Sequence, residues 1–265
     1  MKKPLFHLEK WYLDVVDDNS RSSIFYTARL RWFGVSFQYV EWIRFDGDKV
    51  ENQAVNFRRV ALPKRTNDVI SWQDSKLDVM GEWTAMDGPI KAKIYDSPDG
   101  YLNWYCYQPR SKVKLMIGKD EMEGLGYVEK LVLTAYPWHI PINHLRWGRY
   151  VSDKHALVWI QILEKSEKQW VWLDGVEIED TFEIDDKVIL NNYTKLSMYP
   201  LETLQSGRPI SKALGFLLKG VINYKSEINR NFVNAYAQKW LSKGHLEINN
   251  NTDTGHVIHE WVNFS

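Results

Sequence analysis

The sequence has little cysteine, no excess of one charge and no long apolar run. Cys106 is the only cysteine in 265 residues, which excludes an intramolecular disulfide and a zinc cluster built from cysteines. The 34 Lys and Arg residues balance 34 Asp and Glu residues, so the chain has no net positive charge to attract nucleic acid. We expect no nucleic-acid partner.

No segment is apolar enough to span a membrane. The N-terminus begins with two lysines, but it turns charged again at Glu9 and Lys10, before a signal-peptide core could form. With a single cysteine, these features favour a soluble protein of the reducing cytoplasm. The sequence leaves the oligomeric state open.

Aromatic residues, in contrast, are plentiful: 13 Trp, 14 Tyr and 10 Phe. Aromatic side chains are enriched in β-strands, and they also line pockets for flat apolar ligands. Packing between strands is the simpler interpretation of any single one. The excess as a whole is the first indication of an apolar ligand.

Apolar residues alternate with polar ones over several short segments. From Ile24 to Trp32 every second residue is apolar, which predicts a strand with one buried face. The same alternation occurs in Ala54–Val60, Val113–Ile117 and Phe182–Leu190. The segment Ala156–Leu163 is apolar on both faces and predicts a fully buried strand. The chain is therefore predicted to be all-β.

Glycine next to aspartate marks the predicted hairpin turns, because glycine accepts positive φ and aspartate caps turns. These turns are Asp46-Gly47-Asp48, Asp87-Gly88, Pro98-Asp99-Gly100 and Asp174-Gly175. The best helix candidate is Asn229–Lys243, which is rich in helix-forming residues. An internal repeat nevertheless predicts that this segment is mostly strand.

The repeat emerges when the chain is laid over itself. Gly126-Tyr127-Val128-Glu129 matches Gly255-His256-Val257-Ile258 at an offset of 129 residues. At an offset of 136, a second set of matching residues pairs Trp11, Val15 and Asp17 with Trp147, Val151 and Asp153. We predict two copies of one sheet-rich domain, residues 1–138 and 139–265. Pro137 and Pro141 would interrupt strand pairing at the junction.

Four segments resemble the double-lipocalin superfamily, which includes carotenoid 1,2-hydratase (hydroxyneurosporene synthase), AttH-like proteins, tocopherol cyclase and fungal pericyclases. They are Gly124–Lys130, Leu145–Arg149, Trp11–Asp14 and Tyr107–Arg110. The resemblance implies two lipocalin-like antiparallel β-barrels packed together, with few short helices. It also implies an apolar, isoprenoid-like or polyketide-like ligand in a barrel mouth or between the barrels. It does not fix a reaction, because a fold alone never does.

Hydration or cyclisation of an alkene needs an acid near the reacting carbon and aromatic faces that tolerate a carbocation. It needs no cofactor. Glu129 is the candidate acid, and Tyr127, two residues away on one strand, would point to the same face. Position 258, which matches Glu129 in the repeat, is isoleucine, so only the first copy keeps the acid. The alternative is that Glu129, followed by Lys130, is a solvated rim residue.

Further aromatic and charged residues near these motifs are candidates for binding the ligand: Trp104, Tyr105, Tyr107, His139, His144, Arg146, Trp147, Arg149, His256 and Glu260. Structural histidines, and arginines that form salt bridges between the barrels, are the alternatives for this set. His256 and His259 would lie on opposite faces of a strand, so no metal site is predicted.

The second copy also contains a predicted long loop, Pro200–Lys225, which would act as a lid or only as packing.

We expect a protein that binds an apolar ligand and catalyses its cofactor-free hydration, cyclisation or isomerisation by proton transfer. A non-catalytic lipocalin-type carrier is the alternative, in which the same aromatic residues only solvate the ligand. A scaffold with filled barrels is a third interpretation.

Overall fold

The structure, a computed structural model, describes residues 5–56, 59–164, 167–208 and 234–264. The chain divides into two compact units, Met1–Tyr136 and Pro137–Ser265. The described elements are β-strands and one short 3-10 helix, Pro137–His139. No described helix is long and apolar enough to cross a membrane. The all-β prediction is confirmed.

The first unit is a ten-stranded antiparallel sheet ordered β4-β3-β2-β1-β10-β9-β7-β6-β5, with β8 pairing β9 beside this path. Its strands are β1 Phe6–Val16, β2 Ser22–Trp32, β3 Val35–Phe45, β4 Val50–Asn56, β5 Lys64–Thr66, β6 Val69–Asp74, β7 Val79–Ala85, β8 Ile90–Ser97, β9 Gly100–Ile117 and β10 Asp120–Leu133.

The second unit is a nine-stranded antiparallel sheet ordered β14-β13-β12-β11-β19-β18-β17-β16-β15. Its strands are β11 His144–Val151, β12 Ala156–Leu163, β13 Glu167–Leu173, β14 Val176–Glu177, β15 Glu183–Ile184, β16 Val188–Leu190, β17 Thr194–Gly207, β18 Tyr236–Ile248 and β19 Asn251–Asn263. In both units the first strand pairs with the second and with the last.

The sheet of the first unit curls around its own core. Phe25 on β2 and Trp72 on β6 are five strands apart in the sheet, which would separate them by roughly 24 Å if the sheet were flat. Their ring centroids are only 5.2 Å apart. The curled inner face is filled by large apolar side chains, among them Trp11, Leu13, Phe25, Trp42, Trp72, Trp83, Leu115 and Val128.

The second sheet also curls. The Gln169 side-chain amide on β13 donates to the carbonyl of Phe182 over 3.1 Å and accepts from its N–H over 2.8 Å, linking β13 to the residue before β15. These strands lie near opposite ends of the sheet order. The core of this unit is again apolar and includes Tyr150, Leu157, Trp159, Val171, Phe182, Leu196, Leu246 and Val257.

Two predicted elements differ from the structure. Phe182–Leu190 is not one strand, because Asp185 accepts hydrogen bonds from the N–H groups of Lys187 (2.6 Å) and Val188 (2.7 Å) and so forms a turn. The predicted strand at Ala54–Val60 begins earlier, as β4, and ends at Asn56, while Val60 lies in a connection.

The predicted loop Pro200–Lys225 is wrong over its first part, because Pro200–Gly207 continues β17 and pairs with β18. Its continuation, residues 209–225, and any lid formed there lie outside the described residues. In the helix candidate Asn229–Lys243, the described residues Tyr236–Lys243 belong to β18. The repeat-based prediction of a strand is thus confirmed for that part.

The repeat alignment at offset 136 is out of register by one residue. Trp11 packs in the core of the first unit, whereas in the second unit Tyr150 is a core residue and Trp147 lies on the opposite face. A shift of one residue exchanges the two faces of a strand. Gly148, which shares the core face with Tyr150, is therefore the position that corresponds to Trp11.

Candidate functional site

Glu129 and Tyr127 lie side by side on β10, on the face opposite the core. Val128 between them belongs to the core cluster, so its neighbours must point the other way. On the adjacent strand β1, Tyr12 is directly opposite Glu129, and Asp14 is directly opposite Tyr127. Two tyrosines and two carboxylate residues thus lie next to one another on one face of two strands.

The Glu129 carboxylate receives two hydrogen bonds on one oxygen. The Tyr127 hydroxyl donates to Oε2 over 2.6 Å, and the Trp104 indole N–H on β9 donates to the same oxygen over 2.5 Å. A hydrogen bond to an ionised carboxylate is stronger than one between two neutral groups. The two donors therefore fix the orientation of the carboxylate. Tyr127 is fully buried and Glu129 is half-buried. The structure thus brings together three of the predicted site residues.

A second tyrosine–carboxylate pair lies beside the first. The Tyr12 hydroxyl donates to Asp14 Oδ2 over 2.8 Å, and both side chains are buried. The Tyr12 ring contacts the rings of Tyr127 (centroids 5.8 Å apart) and Tyr26 (5.3 Å), both edge to face. Tyr12 and Asp14 were not among the site residues predicted from the sequence. The signal was present, because Tyr-x-Asp on β1 has the same spacing as Tyr-x-Glu on β10.

A glycine allows β1 and β10 to pack this closely. A Cβ at Gly126 would lie 2.1 Å from the backbone oxygen of Asp14, a distance that real Cβ atoms do not reach. Any larger residue would push the strands apart at the point where Asp14 faces Tyr127. Gly126 therefore helps to set the spacing of the two tyrosine–carboxylate pairs.

Cys106 lies directly opposite Glu129 on β9 and is completely buried. Burial raises the pKa of its thiol well above the ordinary value, and the nearby Glu129 charge adds to that shift. Burial likewise raises the pKa of the Tyr127 phenol, with further contributions from Cys106 and Glu129. Both groups therefore stay protonated at neutral pH. The Cys106 thiol is not an activated nucleophile, and Tyr127 is a hydrogen-bond donor.

Tyr105 and Tyr107 lie on the other face of β9. Tyr107 packs against the core of the first unit, and its ring stacks on Trp11 with centroids 5.3 Å apart. Lys130 shares this face, and its ammonium group lies 3.7 Å from a carboxylate oxygen of Glu9. The structure separates these two tyrosines from the Glu129 cluster.

The charged candidates of the second unit have partners within that unit. Arg149 is fully buried, and its Nη1 donates to the backbone oxygen of His256 over 3.0 Å. Glu260 is ion-paired with the buried Lys239, whose ammonium lies 5.2 Å from the centroid of the Trp147 ring.

Arg146 contacts Asp186 over 3.1 Å and Gln161 over 3.3 Å. Interactions within the unit thus account for all the charged residues predicted there as ligand contacts.

Two of the predicted histidines, His139 and His144, make ring contacts. His144 stacks on Trp261 with centroids 5.9 Å apart, and His139, in the 3-10 helix, lies edge-on to Trp138 at 6.3 Å. His259 stacks on Trp240, and its Nε2 lies 3.0 Å from the Ser242 hydroxyl. Across the residues described, no group of three or more His, Cys, Asp or Glu side chains could hold a metal ion.

Each unit has a surface cavity of moderate size, and neither includes the Glu129 cluster. The cavity in the first unit, about 530 Å³, includes Arg59, Gln73, Asp74, Asp78 and Met80 in its lining. The cavity in the second, about 540 Å³, includes Lys154, His155, Asn250, Asn251 and Asp253. The lining of the second cavity is mostly polar, whereas that of the first also includes the apolar residues Ala61, Val79 and Met116.

No protein-family model matches this chain, and no curated protein matches its sequence. Solved structures do match its fold. A protein assigned as AttH from Nitrosomonas europaea aligns with a TM-score of 0.59 at 11% identity, over 96% of this chain and 92% of that one. Kievitone hydratase from Nectria haematococca aligns with a TM-score of 0.56 at 8% identity, over 97% and 88%.

CghA, crystallised with Sch210972, aligns with a TM-score of 0.52 at 10% identity, over 98% and 89%. The fold is double-lipocalin-like. The resemblance predicted from the sequence is thus confirmed at the level of the fold. Identities of 8 to 11% carry no residue roles across, so any role of Glu129 rests on the geometry of this chain.

Proposed function

We propose that this protein binds an apolar small molecule beside Glu129 and catalyses its hydration, cyclisation or isomerisation by proton transfer, without a cofactor. The observation that carries the proposal is the Glu129 carboxylate, oriented by the Tyr127 hydroxyl and the Trp104 indole. Relatives in fold named as a hydratase, or crystallised with Sch210972, support the class of reaction and of ligand.

In this proposal Glu129 is the catalytic residue, and Tyr127 and Trp104 are positioning residues. Glu129 removes a proton from the ligand, or from the water that adds to it, and returns a proton to carbon, so the carboxylate is regenerated in each turnover. The rings of Tyr12, directly opposite Glu129, and of Trp104 would pack against the apolar ligand and hold it beside the carboxylate.

The test begins with native mass spectrometry of the protein purified from its own host, to identify a bound apolar molecule. The captured compound is then incubated with the wild-type protein, with Glu129→Gln and with the control Glu121→Gln. Glu121 is an exposed glutamate on the same strand. We expect conversion by the wild type and the control, and a loss of roughly a hundredfold or more in Glu129→Gln.

Unchanged conversion by Glu129→Gln would remove this residue from the reaction. If the ligand instead binds equally to all three proteins and none converts it, the protein is a carrier. The inner faces of both sheets are filled with apolar side chains. A carrier would therefore hold its ligand outside these cores.

A further inference from the structure

Three aromatic rings form a stack on the core face of the first sheet. Trp11 and Tyr107 are stacked with centroids 5.3 Å apart and ring planes 25° apart. Tyr107 and Tyr105 follow at 6.2 Å and 12°. Trp11 is buried, but Tyr105 and Tyr107 are each partly exposed. This aromatic stack therefore offers ring surface to a ligand.

Three cations lie against the aromatic stack. The Lys130 ammonium is 5.2 Å from the centroid of Trp11, 5.6 Å from Tyr107 and 5.7 Å from Tyr105. The Arg65 guanidinium lies 5.1 Å from Tyr107, and the Lys91 ammonium lies 5.4 Å from Tyr105. All these distances are within the reach of cation–π attraction, so each cation is held against a ring of the stack.

The charge on this face is predominantly positive. Arg29 and Arg31 on β2 lie directly opposite Glu9 and His7, on the same face as Lys130. Glu9 neutralises one of these cations, since its carboxylate lies 3.7 Å from Lys130.

The pKa of His7 is lowered, first by burial and then by the charge of Arg31, with Lys130 adding to the effect and Glu9 opposing it. A chain of zero net charge thus concentrates positive charge here.

We propose that the aromatic stack with Arg65, Lys91 and Lys130 is a second binding site, for a small anionic amphiphile with a flat apolar body. The body would pack on Tyr105 and Tyr107, and the anionic group would bind the exposed Arg65 and Lys91. This site is separate from Glu129, because Lys130 and Glu129 are successive residues that point to opposite faces of β10.

The test uses two fluorescent probes that share a ring system. Anilinonaphthalene sulfonate carries an anionic group, and phenylnaphthylamine lacks it. We expect the double variant Arg65→Gln/Lys91→Gln to weaken binding of the sulfonate by about fivefold or more, and to leave binding of the neutral probe unchanged. Added salt should likewise weaken only the sulfonate.

The matched control is Lys112→Gln/Lys114→Gln, which removes two exposed lysines elsewhere on β9. Equal affinities for the sulfonate in the two double variants would overturn the proposal. Tyr105→Leu should weaken both probes, with circular dichroism confirming the fold; an unchanged affinity for both would also contradict it. The outcome does not depend on the proposed reaction, because neither Arg65 nor Lys91 takes part in it.

Discussion

The two units use one strand order but exchange large and small residues in their cores. In the first unit Trp11 on β1 lies opposite Thr27 on β2. In the second, Gly148 lies at the position of Trp11, and Trp159 lies opposite it. A Cβ at Gly148 would lie 2.2 Å from the Trp159 ring. Each unit therefore places one tryptophan in this layer of its core, supplied by a different strand.

The opposite faces of the two sheets differ in their chemistry. The first unit presents Glu129 with Tyr12 and Cys106 on the neighbouring strands. In the second, Ile258 is fully buried, with Arg149 and Leu241 directly opposite. The duplicated sheet thus preserves strand pairing while the residues on this face diverge. Only the first unit has a carboxylate at this position.

The largest effect on stability should come from placing a tryptophan at position 148, where the second unit has glycine. Gly148→Trp places a second large ring against Trp159 and should destabilise the protein by about 3 kcal/mol or more, because a packed core does not absorb that volume. Adding Trp159→Thr reproduces the arrangement of the first unit and should restore at least about 2 kcal/mol. Urea denaturation measures both changes.

Gly88→Trp is the control for this prediction, because no atom lies within 4 Å of a Cβ built there. It should change the free energy of unfolding by less than about 0.5 kcal/mol. A double variant no more stable than Gly148→Trp alone would show that the two tryptophans do not substitute for each other.

A smaller effect concerns pH and the second unit. Burial, aided by the charge of Lys239, lowers the pKa of His259 from 6.5 to about 4. Between these values the unfolded chain binds a proton on His259 that the folded chain does not, so stability falls as the pH falls from 6.5 to 4. The shift corresponds to about 3 kcal/mol at pH 4 and below. Urea denaturation across this range measures the loss.

The His259→Gln variant should lose about 3 kcal/mol less over the same interval, because glutamine does not titrate. His245→Gln, which changes a histidine that is more than one-third exposed, serves as the control and should follow the wild type. If all three proteins lost the same stability, His259 would not be the group responsible. The first unit has Lys130 at the corresponding position, opposite Trp11.

The smallest change in stability should come from Tyr127→Phe. This variant keeps the ring in place but removes the hydroxyl that donates to Glu129, which should cost about 2 kcal/mol. Tyr193→Phe, at a tyrosine that is 63% exposed, should cost nothing measurable by urea denaturation. A cost below about 0.5 kcal/mol for Tyr127→Phe would mean that this hydrogen bond does not hold the cluster together.

The fold was predicted from the sequence, but the alignment of the two repeats was wrong by one residue. Alternation of apolar residues identified β2, and a short segment that is apolar on both faces identified β12. Trp11 and Trp147 look equivalent in sequence but lie on different faces, since composition alone does not say which strand supplies the core tryptophan. Only strand pairing distinguishes Trp147 from Gly148.

The site was predicted in part for a similar reason. Glu129 and Tyr127 share a face because they are two residues apart on one strand, which the sequence reveals. The contacts with Trp104 and with the Tyr12–Asp14 pair join residues far apart in the chain, and depend on how β1, β9 and β10 align. Tyr105 follows Trp104 directly and therefore lies on the other face of β9. A search for aromatic residues alone does not distinguish the two.

The central claim is that Glu129 exchanges a proton with the ligand. The direct measurement is incorporation of deuterium into carbon of the co-purified ligand, by mass spectrometry, after incubation in heavy water with wild-type, Glu129→Gln or Glu121→Gln protein. We expect incorporation with the wild type and Glu121→Gln, and at least a hundredfold slower incorporation, on the order of a lost general base, with Glu129→Gln. Equal rates for all three proteins would contradict the assignment.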